Sequence, residues 1–132
     1  MKTVHINKLK GLFSKFPEIE LVYLYGSHAK GTARLDSDLD LAVSACTDDY
    51  AGLKLDLLEH LAFAGFERID IAFFQQATPV LRFQMVRHNQ LLYCRSDVSA
   101  GDLFSRCLNE YFDLEPLLRV QRTAYKERVL HG

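Results

Sequence analysis

The chain has few of the residues and patterns that mark several large protein classes. Its 132 residues include only seven glycines and three prolines, too few for a low-complexity or disordered protein. Sixteen basic and seventeen acidic side chains leave a net charge of -1, so no broad positive field is present to hold a nucleic-acid backbone. We therefore expect a globular protein for which nucleic acid is not a direct substrate.

Cysteines and long apolar runs are also scarce. The three cysteines are odd in number and widely separated, which fits neither a disulfide framework nor a C-x-x-C metal knuckle and predicts reduced thiols: Cys46, Cys94 and Cys107. No run approaches membrane-spanning length. Lysines interrupt the first twenty residues, which excludes the apolar core of a signal peptide: Lys2, Lys8, Lys10 and Lys15. We expect a cytoplasmic protein.

Apolar periodicity and turn residues predict eight elements in the order helix, strand, strand, helix, strand, helix, strand, helix. Their approximate positions are 4–16, 21–25, 38–43, 49–65, 68–74, 78–88, 91–94 and a C-terminal helical segment at about 97–130. Pro116 interrupts the last helical pattern, so we expect a kink there or a restart capped by Asp113. This order indicates a mixed α/β (α+β) fold, a small mixed β-sheet packed with helices, in one domain over residues 1–132.

The stretch from Leu21 to Ser44, LVYLYGSHAKGTARLDSDLDLAVS, contains the most informative pattern. Side chains alternate along a strand, so Asp38 and Asp40 share one face at about 7 Å between Cα atoms, on a strand with one face in the core and the other open. Asp70 lies within the next predicted strand, where an isolated buried carboxylate would cost several kcal/mol. If the two strands are neighbours, the three aspartates converge and form a site for a hard cation such as Mg²⁺, which binds through a few carboxylates together with substrate phosphates.

Gly26 and Ser27 follow the first predicted strand and have the properties of a phosphate-binding loop. A glycine lets the backbone approach closely, while free backbone N–H groups and a hydroxyl supply hydrogen-bond donors. Lys30 and Arg34 lie in the same loop and add positive charge. The loop is thus expected to bind the phosphates of a nucleotide whose metal the aspartates hold.

Each of these features also has a purely structural interpretation. Asp38 and Asp40 suit a solvent-facing strand edge where charges deter aggregation. Asp70 suits a cap or an ion pair with Arg68 or Arg82, and Gly26 an ordinary turn. The apolar stripe around Phe104 and Tyr111 is interpreted as core packing or, alternatively, as a partner-binding face, since a charged cluster follows it: Arg119, Arg122, Lys126 and Arg128.

The motif GSHAKGTARLDSDLDLAV resembles the signature of the nucleotidyltransferase superfamily related to DNA polymerase β, over about Glu20 to Phe74. The short length, LRFQMVRHNQLLYC and YFDLEPLLRVQRTAYKERV extend the likeness over most of the chain to the minimal nucleotidyltransferase (MNT) antitoxins, which act beside HEPN-domain toxins. Lys30 departs from the arginine that many relatives carry, which changes how the phosphates are gripped because lysine is a point charge.

The resemblance implies the polymerase β-like fold and AMP transfer from ATP to a hydroxyl, expected to be a tyrosine, of a cognate HEPN ribonuclease toxin, with release of pyrophosphate. It assigns catalysis and two Mg²⁺ ions to Asp38, Asp40 and Asp70, and nucleotide binding to Gly26, Ser27, Lys30 and Ser37. A hetero-oligomer with the toxin is expected. The alternatives are a non-catalytic module that neutralises its partner by complex formation, and transfer of a nucleotide to a small molecule.

Overall fold

A computed structural model describes residues 3–26 and 39–131 and contains the eight elements that the sequence predicts, in the same order. The helices are α1 (Thr3–Phe13), α2 (Tyr50–Phe63), α3 (Pro79–Val86) and α4 (Ala100–His131). The strands are β1 (Ile19–Tyr25), β2 (Leu39–Ala45), β3 (Ile69–Phe73) and β4 (Gln90–Cys94), and a 3₁₀ turn spans Phe74–Gln76. The mixed sheet with packed helices is therefore confirmed.

The four strands form one sheet in the order β3-β2-β1-β4. β1 pairs antiparallel with both β2 and β4, whereas β2 and β3 run parallel. A parallel pair needs a crossover connection, and α2 supplies it between β2 and β3. The topology makes β2 a central strand and β3 an edge strand, with their amino-terminal ends at the same end of the sheet.

One face of the sheet packs against α1 and α2. Leu9 and Phe13 of α1 and Leu57 and Leu61 of α2 are fully buried in this cluster together with alternate residues of the strands. Asp49 caps α2, because its Oδ1 accepts a hydrogen bond of 3.0 Å from the Gly52 N–H. This face supplies most of the core.

The opposite face packs against α3 and the first half of α4. Tyr23, Ala42, Phe74, Met85 and Cys107 form a second buried cluster there. Thr78 caps α3 by accepting a hydrogen bond of 3.2 Å from Leu81, with Pro79 at the first helical position. The expectation that this face of β2 is open is wrong beyond Asp40, because the helices and Phe74 cover Ala42 (0% exposed) and Ser44 (6% exposed).

Two helix ends differ from the sequence prediction. α1 ends at Phe13 and not at Phe16, because Lys15 and Phe16 donate to the carbonyls of Leu12 and Phe13 in tighter turns. α4 continues through Pro116 without a restart at Asp113, at the cost of one backbone hydrogen bond that the proline cannot donate. None of the helices in the described ranges combines the length and apolarity that crossing a membrane requires.

Candidate active site

Asp40 and Asp70 lie side by side at one end of the sheet. β2 and β3 pair in parallel with Asp40 opposite Asp70, so their Cα atoms are separated by one strand spacing of about 4.8 Å. Both belong to the face that carries Ala42 and Ala72, which the second core cluster covers further along the strands. The two strands are neighbours, which was the condition for convergence, and their pairing brings these two carboxylates together.

Gly26 packs directly against the side chain of Asp40. It has a φ of 70°, in the left-handed region that glycine adopts without strain. A Cβ built at Gly26 would lie 3.1 Å from Asp40 Cγ and closer still to Oδ2. The backbone at residue 26 thus approaches the carboxylate to a distance that only glycine permits.

Tyr25 adds a phenol to the same cluster, although the sequence analysis treated it only as the end of a strand. It pairs with Asp40 across the β1–β2 ladder and is half-buried. Burial, followed by the negative charges of Asp40 and Asp70, raises the pKa of Tyr25 from 10.0 to about 12. The phenol therefore stays neutral at physiological pH, beside carboxylates whose negative potential favours a cation.

The other predicted site residues, Ser27, Lys30, Ser37 and Asp38, lie outside the described residues. Within the described ranges no three His, Cys, Asp or Glu side chains group closely enough to hold a metal ion. Two oxygen-donor carboxylates side by side at an exposed sheet end nevertheless match the chemistry of a Mg²⁺ site that substrate phosphates complete.

Two expectations about Asp70 change. It lies on the edge strand and is exposed, so it does not bear the burial cost that the sequence analysis considered. Arg82, one proposed ion-pair partner, instead bonds to Glu110 Oε2 at 2.9 Å and to the Phe74 carbonyl at 2.9 Å. Arg82 is therefore held against α4 and away from the paired aspartates.

A second polar region occupies the far end of the same sheet face. Ser44 accepts a hydrogen bond of 3.0 Å from Gln75 Nε2 and donates one of 3.4 Å to Glu20. These side chains line a cleft of about 390 Å³ that Arg82, Arg106 and Glu110 also border. Ser44 lies four positions after Asp40 on β2, a rise of about 13 Å, and buried Ala42 lies between them. The cleft is thus distinct from the aspartate pair.

These features, a glycine packed on a strand carboxylate and a second carboxylate on the neighbouring parallel strand, suit nucleotidyl transfer. The family model described as polymerase beta, nucleotidyltransferase, matches residues 7–98, which include the whole sheet, α2, α3 and all of α1 except its first four residues. The chain belongs to this nucleotidyltransferase family, as the motif indicated.

Individual relatives give a more specific comparison than the family model does. The chain is 32% identical over 94 residues to the protein adenylyltransferase MntA of Shewanella oneidensis, covering 70% of this chain and 68% of the relative. It is also similar to a chain in the crystal structure of a toxin–antitoxin with AMP-PNP, with a TM-score of 0.71 and 26% identity, covering 95% of this chain and 98% of that chain.

A third comparison supports the fold alone. This chain matches a chain in the structure of the tri-AMPylated Shewanella oneidensis HEPN toxin in complex with MNT antitoxin, with a TM-score of 0.69 at 24% identity. The match covers 98% of this chain and 99% of the other. The identity to MntA and the match to the toxin–antitoxin chain with AMP-PNP, and not this third match, confirm the expected resemblance to MNT antitoxins.

Proposed function

We propose that this protein is an antitoxin that transfers AMP from ATP to a tyrosine hydroxyl of a cognate HEPN toxin and thereby neutralises it. The observation that carries the proposal is the pairing of Asp40 with Asp70, beside Gly26, in a chain of this nucleotidyltransferase family. The likeness to a protein adenylyltransferase, and to a toxin–antitoxin chain crystallised with an ATP analogue, supports the choice of reaction and partner.

The site residues divide into two roles. Gly26, Ser27, Lys30 and Ser37 bind the triphosphate through backbone N–H groups, hydroxyls and a positive charge. The carboxylates of Asp38, Asp40 and Asp70 hold two Mg²⁺ ions, which supply charge neutralisation for the triphosphate and the leaving group. Because Asp70 is exposed at this end of the sheet, a macromolecular acceptor can reach the site.

In the reaction, the phenol oxygen of the toxin attacks the α-phosphorus of ATP. A bond forms between that oxygen and phosphorus, the bond from phosphorus to the bridging oxygen breaks, and pyrophosphate leaves with the electron pair. Asp70 accepts the phenolic proton, because it lies at the open edge of the site. Tyr25 contributes a neutral phenol within electrostatic range of both aspartates.

The experiment that tests the proposal measures the intact mass of the protein encoded by the neighbouring gene, which the proposal identifies as a HEPN toxin, after incubation with ATP and Mg²⁺. The native protein is expected to add one or more AMP units. Asp40→Asn and Asp70→Asn remove a carboxylate charge at the site and should slow transfer by about 100-fold or more. Asp56→Asn is the matched control, because Asp56 is an exposed aspartate on α2, and it should transfer AMP at the native rate.

The outcome also distinguishes an enzyme that neutralises the toxin by AMP transfer from a module that neutralises it by binding. Loss of both AMP transfer and toxin neutralisation in the Asn variants supports catalysis as the neutralising event. If the native protein leaves the toxin mass unchanged and both Asn variants still neutralise the toxin, neutralisation occurs by complex formation and the proposal fails.

A further inference from the structure

The second half of α4 carries apolar side chains that the fold leaves exposed. Leu117, Val120 and Tyr125 are 56%, 66% and 67% exposed. Their spacing along a helix of 3.6 residues per turn places them on one side, and we call these three residues the α4 stripe. A groove of about 430 Å³ between α3 and α4 continues this surface, since Val80, Gln84 and Tyr125 all border it.

The first half of α4 is used differently. Most of its apolar residues face the second core cluster, where Cys107 is buried and Leu103 and Phe104 pack beside it. Tyr111 stacks on Phe83 of α3 at 3.9 Å between ring centroids, whereas Phe112 is 59% exposed. A single helix thus packs most apolar side chains of its first half against the domain and presents those of the second half outward. Most helices in proteins are stabilised by packing an apolar face against another surface. We therefore expect the α4 stripe to pack against a partner.

The comparisons indicate which kind of partner. The family model ends at residue 98, two residues before α4 begins, so the generic nucleotidyltransferase domain does not require this helix. The toxin–antitoxin chain with AMP-PNP, by contrast, matches 95% of this chain, which leaves out about seven of 132 residues and therefore includes most of α4. The helix is shared with chains of toxin–antitoxin complexes.

Charge argues against a second copy of this chain as the occupant. From residue 116 to 128 the helix carries Arg119, Arg122, Lys126 and Arg128 against Glu127, a net charge of +3. Two such segments side by side would repel each other. An antiparallel arrangement would bring each against residues 100–115, whose net charge is -3. In that half of the described helix, however, Phe112 is the one large apolar side chain that is exposed, and the others pack against the domain.

We propose that the α4 stripe and the adjoining groove dock the HEPN toxin, through a surface of the toxin that is apolar at its centre and acidic at its rim. This inference rests on the proposed function for the identity of the partner. Docking on α4 holds the toxin on this chain while its tyrosine enters the aspartate site. The stripe therefore determines affinity for the toxin and does not take part in the chemical step.

The test compares substitutions in the stripe with one on a different side of the same helix. At about 100° per residue, Thr123 lies about 120° around the axis from Leu117 and about 160° from Tyr125. Leu117→Ala and Thr123→Ala each shorten an exposed side chain without changing charge, and alanine favours the helix in both. Leu117 belongs to the stripe, whereas Thr123 lies outside it, is exposed and donates to the Arg119 carbonyl at 3.0 Å. Leu117→Ala/Tyr125→Ala is the stronger stripe variant. Circular dichroism establishes that all variants keep the native helical content.

The measurements are the dissociation constant of the complex with the HEPN toxin and the steady-state kinetics of AMP transfer. The double stripe variant should weaken binding by about tenfold or more and raise KM for the toxin with kcat unchanged. Thr123→Ala should bind and react as the native protein does. Native affinity in the stripe variants, or equal weakening by Thr123→Ala, would overturn the proposal. So would sedimentation showing that the stripe variants convert a dimer of this chain to a monomer.

Failure of the proposed function gives a different result. If the native protein transfers no AMP but its complex with the toxin weakens only in the stripe variants, the reaction is wrong and the docking surface stands. If AMP transfer occurs normally and is indifferent to the stripe, the reaction stands and the docking surface is wrong.

Discussion

Gly26→Ala provides the sharpest perturbation of the aspartate site without changing any charge. An L-residue at a φ of 70° costs about 1–2 kcal/mol in backbone energy. In addition, the new Cβ would lie 3.1 Å from Asp40 Cγ and nearer to Oδ2, so the carboxylate must rotate away. We expect a loss of about 2 kcal/mol in the free energy of unfolding. AMP transfer should fall by about 100-fold or more, because the Asp40 carboxylate would no longer face the metal ions that it is proposed to hold.

Gly65→Ala is the matched control for this substitution. Gly65 also has a positive φ, 98°, at the end of α2, but a Cβ there meets nothing within 4 Å. Gly65→Ala should therefore lose a similar backbone energy while transferring AMP at the native rate. Urea unfolding and toxin mass measurements on both variants separate strain from displacement of Asp40. Native activity in Gly26→Ala, or equal loss of activity in both, would refute the reasoning.

Three further predictions concern stability. Tyr25→Phe should reduce the loss of stability at high pH. The folded pKa of about 12 exceeds the unfolded 10.0, so ionisation favours unfolding above pH 10. In urea titrations in EDTA, the native protein should therefore lose more stability than the variant as the pH rises from 10 to 12. Leu57→Ala should cost about 3 kcal/mol in the same assay at pH 7, because Leu57 is fully buried between α2 and the sheet. Thr78→Ala should cost about 1 kcal/mol through loss of the α3 cap, and Thr78→Ser should restore most of it.

The order of elements and the placement of Asp40 and Asp70 on strands could be predicted from the sequence because both depend on local patterns. Alternation along β2 assigns Leu39, Leu41 and Val43 to one face, and they are indeed buried in one cluster. Asp40 and Asp70 each occupy a polar position within an apolar strand. Once the two strands are neighbours in parallel register, the convergence of these side chains follows.

Other features depend on long-range register and packing, which local patterns do not contain. Tyr25 joins the site only because the β1–β2 ladder sets it opposite Asp40. The cover over Ala42 comes from Phe74 and from helices that lie far along the chain. The exposure of Asp70 follows from the place of β3 at the edge of the sheet, a fact of strand order. Proline usually ends or kinks a helix, so the local pattern did not predict that α4 continues through Pro116.

Because α4 is one uninterrupted helix, it fixes the distance and direction of its outward half relative to the core. Exposed Tyr125 lies eighteen positions after buried Cys107, a rise of about 27 Å along the axis. Each residue also turns the helix by about 100°, so distance and direction are set by the same count. Gain or loss of one residue between these positions would aim the outer surface in a different direction while leaving the sheet unchanged. Such a chain tolerates substitution along this segment far better than a change in its length.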